Sequence, residues 1–200
     1  AELDRIANTA RNLGLKAHIS VRVNPNIDAH VDHHVATGLG DSKFGVKLTD
    51  VIALYQKAAE LKEIEIEGIS CHIGSLVEST APYMSEIEVL SVFVNELLDR
   101  GIALKHFDIG GGAGVAYKAD EKTLEPSELI PAVVAQIRSL VKIPDIEILI
   151  EPGRSIIAQA GVLLTRVEYL KSGLFERNFC VVDASMTELV RPAMYGSHHE

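Results

Sequence analysis

Several things are scarce in this 200-residue chain, and each scarcity removes a class of function. There are two cysteines, Cys71 and Cys180. Two are too few for a disulfide scaffold or a cysteine metal knuckle, so a reducing, cytoplasmic setting is expected. Basic residues are outnumbered, 19 Lys and Arg against 28 Asp and Glu, for a formal net charge of −9. No Lys/Arg run offsets that balance, so neither nucleic acid nor an anionic membrane is expected as a partner. No apolar run approaches the roughly 20 residues that a helical membrane span needs. No linker rich in Pro, Gly or Ser interrupts the chain, and no low-complexity tract does. Residues 1–14 are charged and helical in pattern, so a secretory signal is not expected there. What remains is ordinary globular usage, 47% hydrophobic and 24% charged, enough to build a large core.

A strand-then-helix unit recurs. AHISVRV (17–23), IEGISCHI (66–73), KHFDIG (105–110) and IEILIE (146–151) are short runs that read as strands, mostly apolar on both faces. Helical patterns separate them at 49–62, 83–99 and 127–141. In the first of these, Val51, Leu54, Tyr55, Ala58 and Leu61 fall on one face. Thr49 stands where an N-cap belongs, and Gly101 where a C′ glycine belongs. Such units build a (β/α) barrel, but four of them do not close one. After residue 160 the texture changes: GVLLTRVEYLKSG and NFCVVDASMTELVRPAMYG have strand pattern without an intervening helix. The fold expected is therefore α/β: a partial (β/α)8 TIM-type barrel over 1–160, then the start of a β-rich domain over 161–200. The chain is expected to be an interior piece, with sequence missing at both ends.

In a parallel barrel, chemistry sits at the C-terminal ends of the strands. The four strands here end in Arg22-Val23-Asn24-Pro25, Cys71-His72-Ile73-Gly74-Ser75, Asp108-Ile109-Gly110-Gly111-Gly112-Ala113-Gly114 and Glu151-Pro152-Gly153-Arg154. Their convergence at one rim is the argument. Glycines without a Cβ admit a phosphate close to backbone amides; the plainer reading of Gly110–Gly114 is a tight turn. A dinucleotide fingerprint does not fit, because Val115 stands in place of the last glycine and no helix start follows. Gly153, Arg154 and Ser75 add further donors for a phosphate. Glu151, ending an apolar strand, is costly without a partner: a surface salt bridge, or a protonated ring nitrogen. His72 is either a satisfied core histidine or a ring that stacks on a flat cofactor. Arg191, with Pro192 and Tyr195 nearby, offers bidentate recognition of a carboxylate. Asp28, His30, Asp32, His33 and His34 lack metal-ligand spacing and read as a solvated loop, so no metal site is assigned.

Taken together, His72-Ile73-Gly74-Ser75, Asp108-Ile109-Gly110-Gly111-Gly112 and Glu151-Pro152-Gly153-Arg154, in that order and at those separations, resemble the fold-type III pyridoxal-phosphate decarboxylases. These enzymes have an alanine-racemase-like barrel and act on diaminopimelate, ornithine or arginine. Ser42-Lys43-Phe44-Gly45, after Thr37-Gly38, resembles them too. The segment from Asp183 to Tyr195 is most similar to the diaminopimelate branch. The resemblance implies that His72 stacks on the pyridine ring, and that Ser75, Gly112, Gly153 and the Arg154 backbone hold the phosphate of pyridoxal 5'-phosphate. It implies that Glu151 pairs with the ring nitrogen. Arg154, Arg191 and Tyr195 would bind the far end of the substrate. Two arginines suit a carboxylate and suit an ammonium poorly, which favours meso-2,6-diaminopimelate, decarboxylated to L-lysine and CO2, over ornithine or arginine. Arg22 is expected near the cofactor ring. Homodimerisation is implied by the family alone. The family's Schiff-base lysine and its downstream cysteine have no counterpart here, so the isolated piece is expected to be inactive. A catalytically dead regulatory relative remains an alternative. So does a cofactor-free (β/α) enzyme acting on a phosphorylated substrate, which explains the glycines but not Glu151 beside His72.

Overall fold

The computed structural model describes residues 1–29, 38, 42–118, 120–174 and 177–199. The chain divides into two compact units, one of residues 1–115 and 123–155, the other of 116–122 and 156–200.

The first unit opens on helix α1 (Glu2–Leu13), whose Leu3, Ala7 and Ala10 are buried and which stops at Gly14 in the left-handed conformation. Five parallel strands follow: β1 (Ala17–Asn24), β2 (Val46–Lys47), β3 (Ile64–Ser70), β4 (His106–Asp108) and β5 (Glu147–Leu149). They lie in the order β2-β1-β3-β4-β5. Helix α2 (Val51–Ala59) precedes β3, α3 (Ala81–Asp99) joins β3 to β4, and α4 (Pro126–Leu140) joins β4 to β5. From β1 through β3, β4 and β5 the neighbours follow chain order. That is the progression of a barrel wall, whereas a doubly wound sheet reverses direction at a switch point.

The two sheet faces differ, and this corrects the expectation of strands apolar on both. Val21, Val23, Ile69 and Phe107 pack with Val51, Tyr55, Ile87, Leu90, Val94, Leu97, Val133 and Ile137 of the helices in one core. The other face is polar: His18, Glu65 and Glu67 project from the same strands, the pairing of β3 with β1 skipping Glu67 between Ile66 and Gly68, with Lys105 just before β4. Lys105 Nζ bridges Glu65 (2.7 Å) and Glu67 (2.9 Å), and His18 Nδ1 bonds Glu67. The period of two in IEIE is that of a half-buried strand, a signal that the reading of these strands as apolar on both faces missed. His18, Glu65 and Glu67 lie close enough to share an ion, but the Lys105 ammonium already occupies that electrostatic position.

Local signals mostly hold. Gly101 lies just past α3 at φ +84°, as a C′ glycine does. Thr49 does not cap α2: it sits inside a 3-10 turn (Leu48–Asp50), and its hydroxyl donates to Asp50 instead. No helix of the described residues is long and apolar enough to cross a membrane.

In the second unit, strands β6 (Val167–Ser172) and β7 (Asn178–Val182) form an antiparallel pair. Two short helices were not expected: α5 (Arg154–Ile157), which begins in the first unit, and α6 (Val190–Tyr195). The sequence offers a signal for the turn leading into α6. Ser185 and Glu188 have capping-box spacing, and the Glu188 carboxylate accepts both the amide and the hydroxyl of Ser185 at 2.7 Å. Those bonds, with Thr187, push the Glu188 carboxyl down to about 2.

Candidate active site

The loops leaving β3, β4 and β5 are laced together beyond the last strand residues. The Cys71 amide donates to the Asp108 carbonyl, Val77 to Gly112, Gly114 to Val77, Ile109 to Leu149, and Glu151 to Gly110. Gly110 and Gly112 have φ of +67° and +103°, where side chains are strained. Contact demands glycine as well. A Cβ on Gly111 would lie 2.0 Å from the Glu151 carbonyl oxygen, and one on Gly112 would lie 2.0 Å from that of Gly74. The glycine run therefore closes the rim, the role that the tight-turn reading pointed to.

His72 and Glu151 reach this rim from opposite sides. The Gly111 amide donates to His72 Nδ1 at 3.1 Å, and the Gly110 carbonyl accepts the Glu151 amide at 2.8 Å. An imidazole nitrogen that accepts carries no proton, so the ring is the neutral tautomer with its hydrogen on Nε2. Burial, and then the charge of Arg22, hold the His72 pKa below its ordinary value. Arg22, expected near the cofactor ring, is close enough for its charge to act on His72. Its guanidinium also lies 5.0 Å over the Phe44 ring. Glu151 does not end an apolar strand as expected: β5 ends at Leu149 and Glu151 is exposed.

Of the glycines in this stretch, Gly110 donates to Asp108 Oδ1, Gly111 to His72 and Gly114 to Val77. Gly112 is the one whose amide takes no part in these bonds, and it touches the backbone beside Ser75. The Ser75 residue is half-buried, and the next residue, Leu76, is held at φ +68°. A non-glycine residue in that region costs energy and clusters at functional sites. Gly153 is exposed, with nothing within 4 Å of where a Cβ would stand. A cavity of about 40 Å³, with Tyr83, Gly110, Gly112, Leu129, Pro152 and Ser155 among its walls, lies at the rim. A Gly112 amide that takes no part in these bonds, a half-buried serine, an open glycine and a neutral imidazole suit the phosphate and ring of pyridoxal phosphate.

Arg191 and Tyr195 belong to the second unit. They stand four residues apart on α6 and so share a face. The Arg191 guanidinium donates to the Tyr117 hydroxyl at 2.7 Å and lies 5.0 Å over that ring. It also contacts His199 Nε2 at 3.3 Å. Tyr117 was not singled out from sequence. Neither were Tyr83, whose hydroxyl donates to the Gly111 carbonyl at 3.1 Å, and Glu86. Tyr83 on its helical face signals core packing, Glu86 looks like a surface acid, and Tyr117 lies in a bend that no pattern marks. His30, Asp32, His33, His34 and Thr37 lie outside the described residues.

A parallel barrel wall with glycine-rich loops laced together at its strand ends is the architecture of a class of enzyme. The chain belongs to the pyridoxal-dependent decarboxylases: the model of that family's pyridoxal binding domain matches residues 1–158. Among individual relatives, the diaminopimelate decarboxylase of Pseudomonas aeruginosa is 42% identical over 194 residues, covering 97% of this chain and 45% of that protein. That of Haemophilus influenzae is 40% identical over 198 residues, covering 99% and 46%. The solved diaminopimelate decarboxylase of Helicobacter pylori, in complex with L-lysine, superposes with a TM-score of 0.90 at 35% identity, over 100% of this chain and 48% of that one. A lysine decarboxylase from Selenomonas ruminantium superposes at 0.76 with 26% identity, over 96% and 48%. The chain thus spans a little under half the length of the relatives it matches.

Proposed function

We propose that the full-length protein decarboxylates meso-2,6-diaminopimelate to L-lysine and CO2, with pyridoxal 5'-phosphate as cofactor. When bound, the protonated cofactor ring supplies an electron sink for the pair left behind as CO2 departs. In this reading His72, kept neutral and oriented by the Gly111 amide, lies flat against that ring. Glu151 holds the proton on the ring nitrogen. Ser75, Gly112, Gly153 and the Arg154 backbone bind the phosphate. The Arg154 side chain, Arg191 and Tyr195 receive the distal amino-acid head. Residues 161–200 begin a second, β-rich domain. Cytoplasmic location and a homodimer complete the proposal.

The observation that carries the substrate assignment is Arg191. A guanidinium backed by the Tyr117 ring and hydroxyl is a preorganised carboxylate receptor, and it would repel a terminal ammonium. The roughly 40% identity to diaminopimelate decarboxylases supports the same choice. The test is CO2 release by the full-length protein from diaminopimelate, ornithine, arginine and lysine in parallel. Turnover of ornithine or lysine without diaminopimelate would overturn the assignment. No turnover of any of them, with the cofactor bound, would favour a regulatory relative.

A further inference from the structure

Glu86 lies on the sheet-facing side of α3, three residues after Tyr83, and is fully buried. Among the described residues neither carboxyl oxygen meets a hydrogen-bond partner other than the weak thiol of Cys71. Buried acids are normally paired, and an unpaired one costs far more charged than neutral. Each neighbouring element contributes charge or polarity here. From the end of β3 come the Cys71 thiol and, beyond it, His72. From β4 comes Asp108, whose negative charge is felt at Glu86. From α3 itself comes Tyr83, whose hydroxyl is committed to Gly111. From β1 comes Arg22, whose charge acts on Cys71 and His72. Among the described residues no cation pairs with Glu86. Burial first, then Asp108, raises its pKa well above the ordinary value; the Cys71 thiol alone opposes. The thiol is pushed up in turn, by burial and by Glu86.

We propose that Glu86 is a positioning residue for the cofactor rim: fully buried behind Cys71, it seats the end of β3 against α3 and so keeps the His72 ring on the Gly111 amide. The inference rests on reading this rim as the pyridoxal phosphate site. A charge formed on Glu86 in alkali meets no cation among the described residues and faces Asp108, so the seat opens and the imidazole loses its register. Glutamine keeps the shape and cannot ionise.

The experiment compares full-length wild type with Glu86→Gln. Pyridoxal phosphate affinity is measured by equilibrium dialysis from about pH 7 to about pH 10, a range that brackets known buried glutamates. Alongside it, the alkylation rate of Cys71 in the cofactor-free protein is read by peptide mass spectrometry. Near pH 7 the two proteins should bind the cofactor within about threefold of each other. Toward pH 10 the wild type should lose at least about tenfold more affinity than the variant, and its Cys71 should be alkylated several-fold faster. Matching pH profiles and matching alkylation rates would overturn the proposal. Should Glu86→Gln fail to fold, Glu86→Met makes the same comparison. If wild type binds no pyridoxal phosphate at any pH, the cofactor reading fails, and the alkylation rates alone decide the role of Glu86.

Discussion

Gly111→Ala and Gly153→Ala separate glycine that closes the rim from glycine that leaves room for a ligand. A methyl on Gly111 would stand 2.0 Å from the Glu151 carbonyl oxygen, whereas ordinary contact begins at 3.4 Å. The Glu151 backbone must therefore yield by about 1.4 Å, the difference between those values. That displacement breaks the 2.8 Å bond from the Glu151 amide to Gly110 and pulls the Gly111 amide off His72. Overpacking of this kind costs about 1–3 kcal/mol, and a lost backbone bond adds about 1 kcal/mol. The expected loss is about 2–4 kcal/mol, or roughly 4–16 °C in Tm for a domain of this size. Gly153 has open space around it, so alanine there should leave the Tm of the cofactor-free protein unchanged. If a phosphate lies against that glycine, the same methyl should cut pyridoxal phosphate affinity by about tenfold or more. Calorimetry without cofactor and dialysis with it measure the two effects. An unchanged Tm for Gly111→Ala would refute the close approach of the β4 and β5 loops. Unchanged affinity for Gly153→Ala would remove that residue from the phosphate site.

Other consequences follow from the same geometry. Tyr83→Phe strands the Gly111 carbonyl and should lower stability by about 1–2 kcal/mol in urea titration; no change would mean the carbonyl is satisfied otherwise. Because the His72 pKa in the fold lies below its ordinary 6.5, the unfolded chain takes up a proton that the fold refuses. Stability should therefore fall as pH drops below about 6.5, and His72→Gln should flatten part of that acid slope. Tyr117→Phe keeps the ring under Arg191 but removes the hydroxyl that accepts from it. The KM for diaminopimelate should rise several-fold with kcat within about twofold, and a change confined to kcat would argue against a binding role. Arg191→Gln should raise KM further, by at least about tenfold, through loss of the charged contact.

Local order was legible along the chain: helices at about 3.6-residue spacing, strand ends loaded with unusual residues, the C′ glycine after α3, and the motif order behind the family resemblance. These signals depend on residues close in sequence, whose spacing alone fixes which face they share. Thr49 illustrates the limit, since a good capping residue was overridden by a 3-10 turn that nothing local marks. The polar face was missed, because the strands read as apolar on both faces although Ile64–Glu67 alternate. Only the assembled sheet makes its meaning clear, by placing His18, Glu65, Glu67 and Lys105 on one side of three neighbouring strands.

The order of elements and the chemistry carried at strand ends belong to the primary sequence of this protein. Folding decided which of those groups meet. Gly111 and Glu151 are forty residues apart in the chain, yet only a hydrogen atom fits between them. Glu86 looks like one more surface acid on a helix until the sheet covers it and takes its water away. Burial and long-range contact are properties of the closed structure, because solvent exclusion and charge proximity depend on distances that the linear chain does not hold.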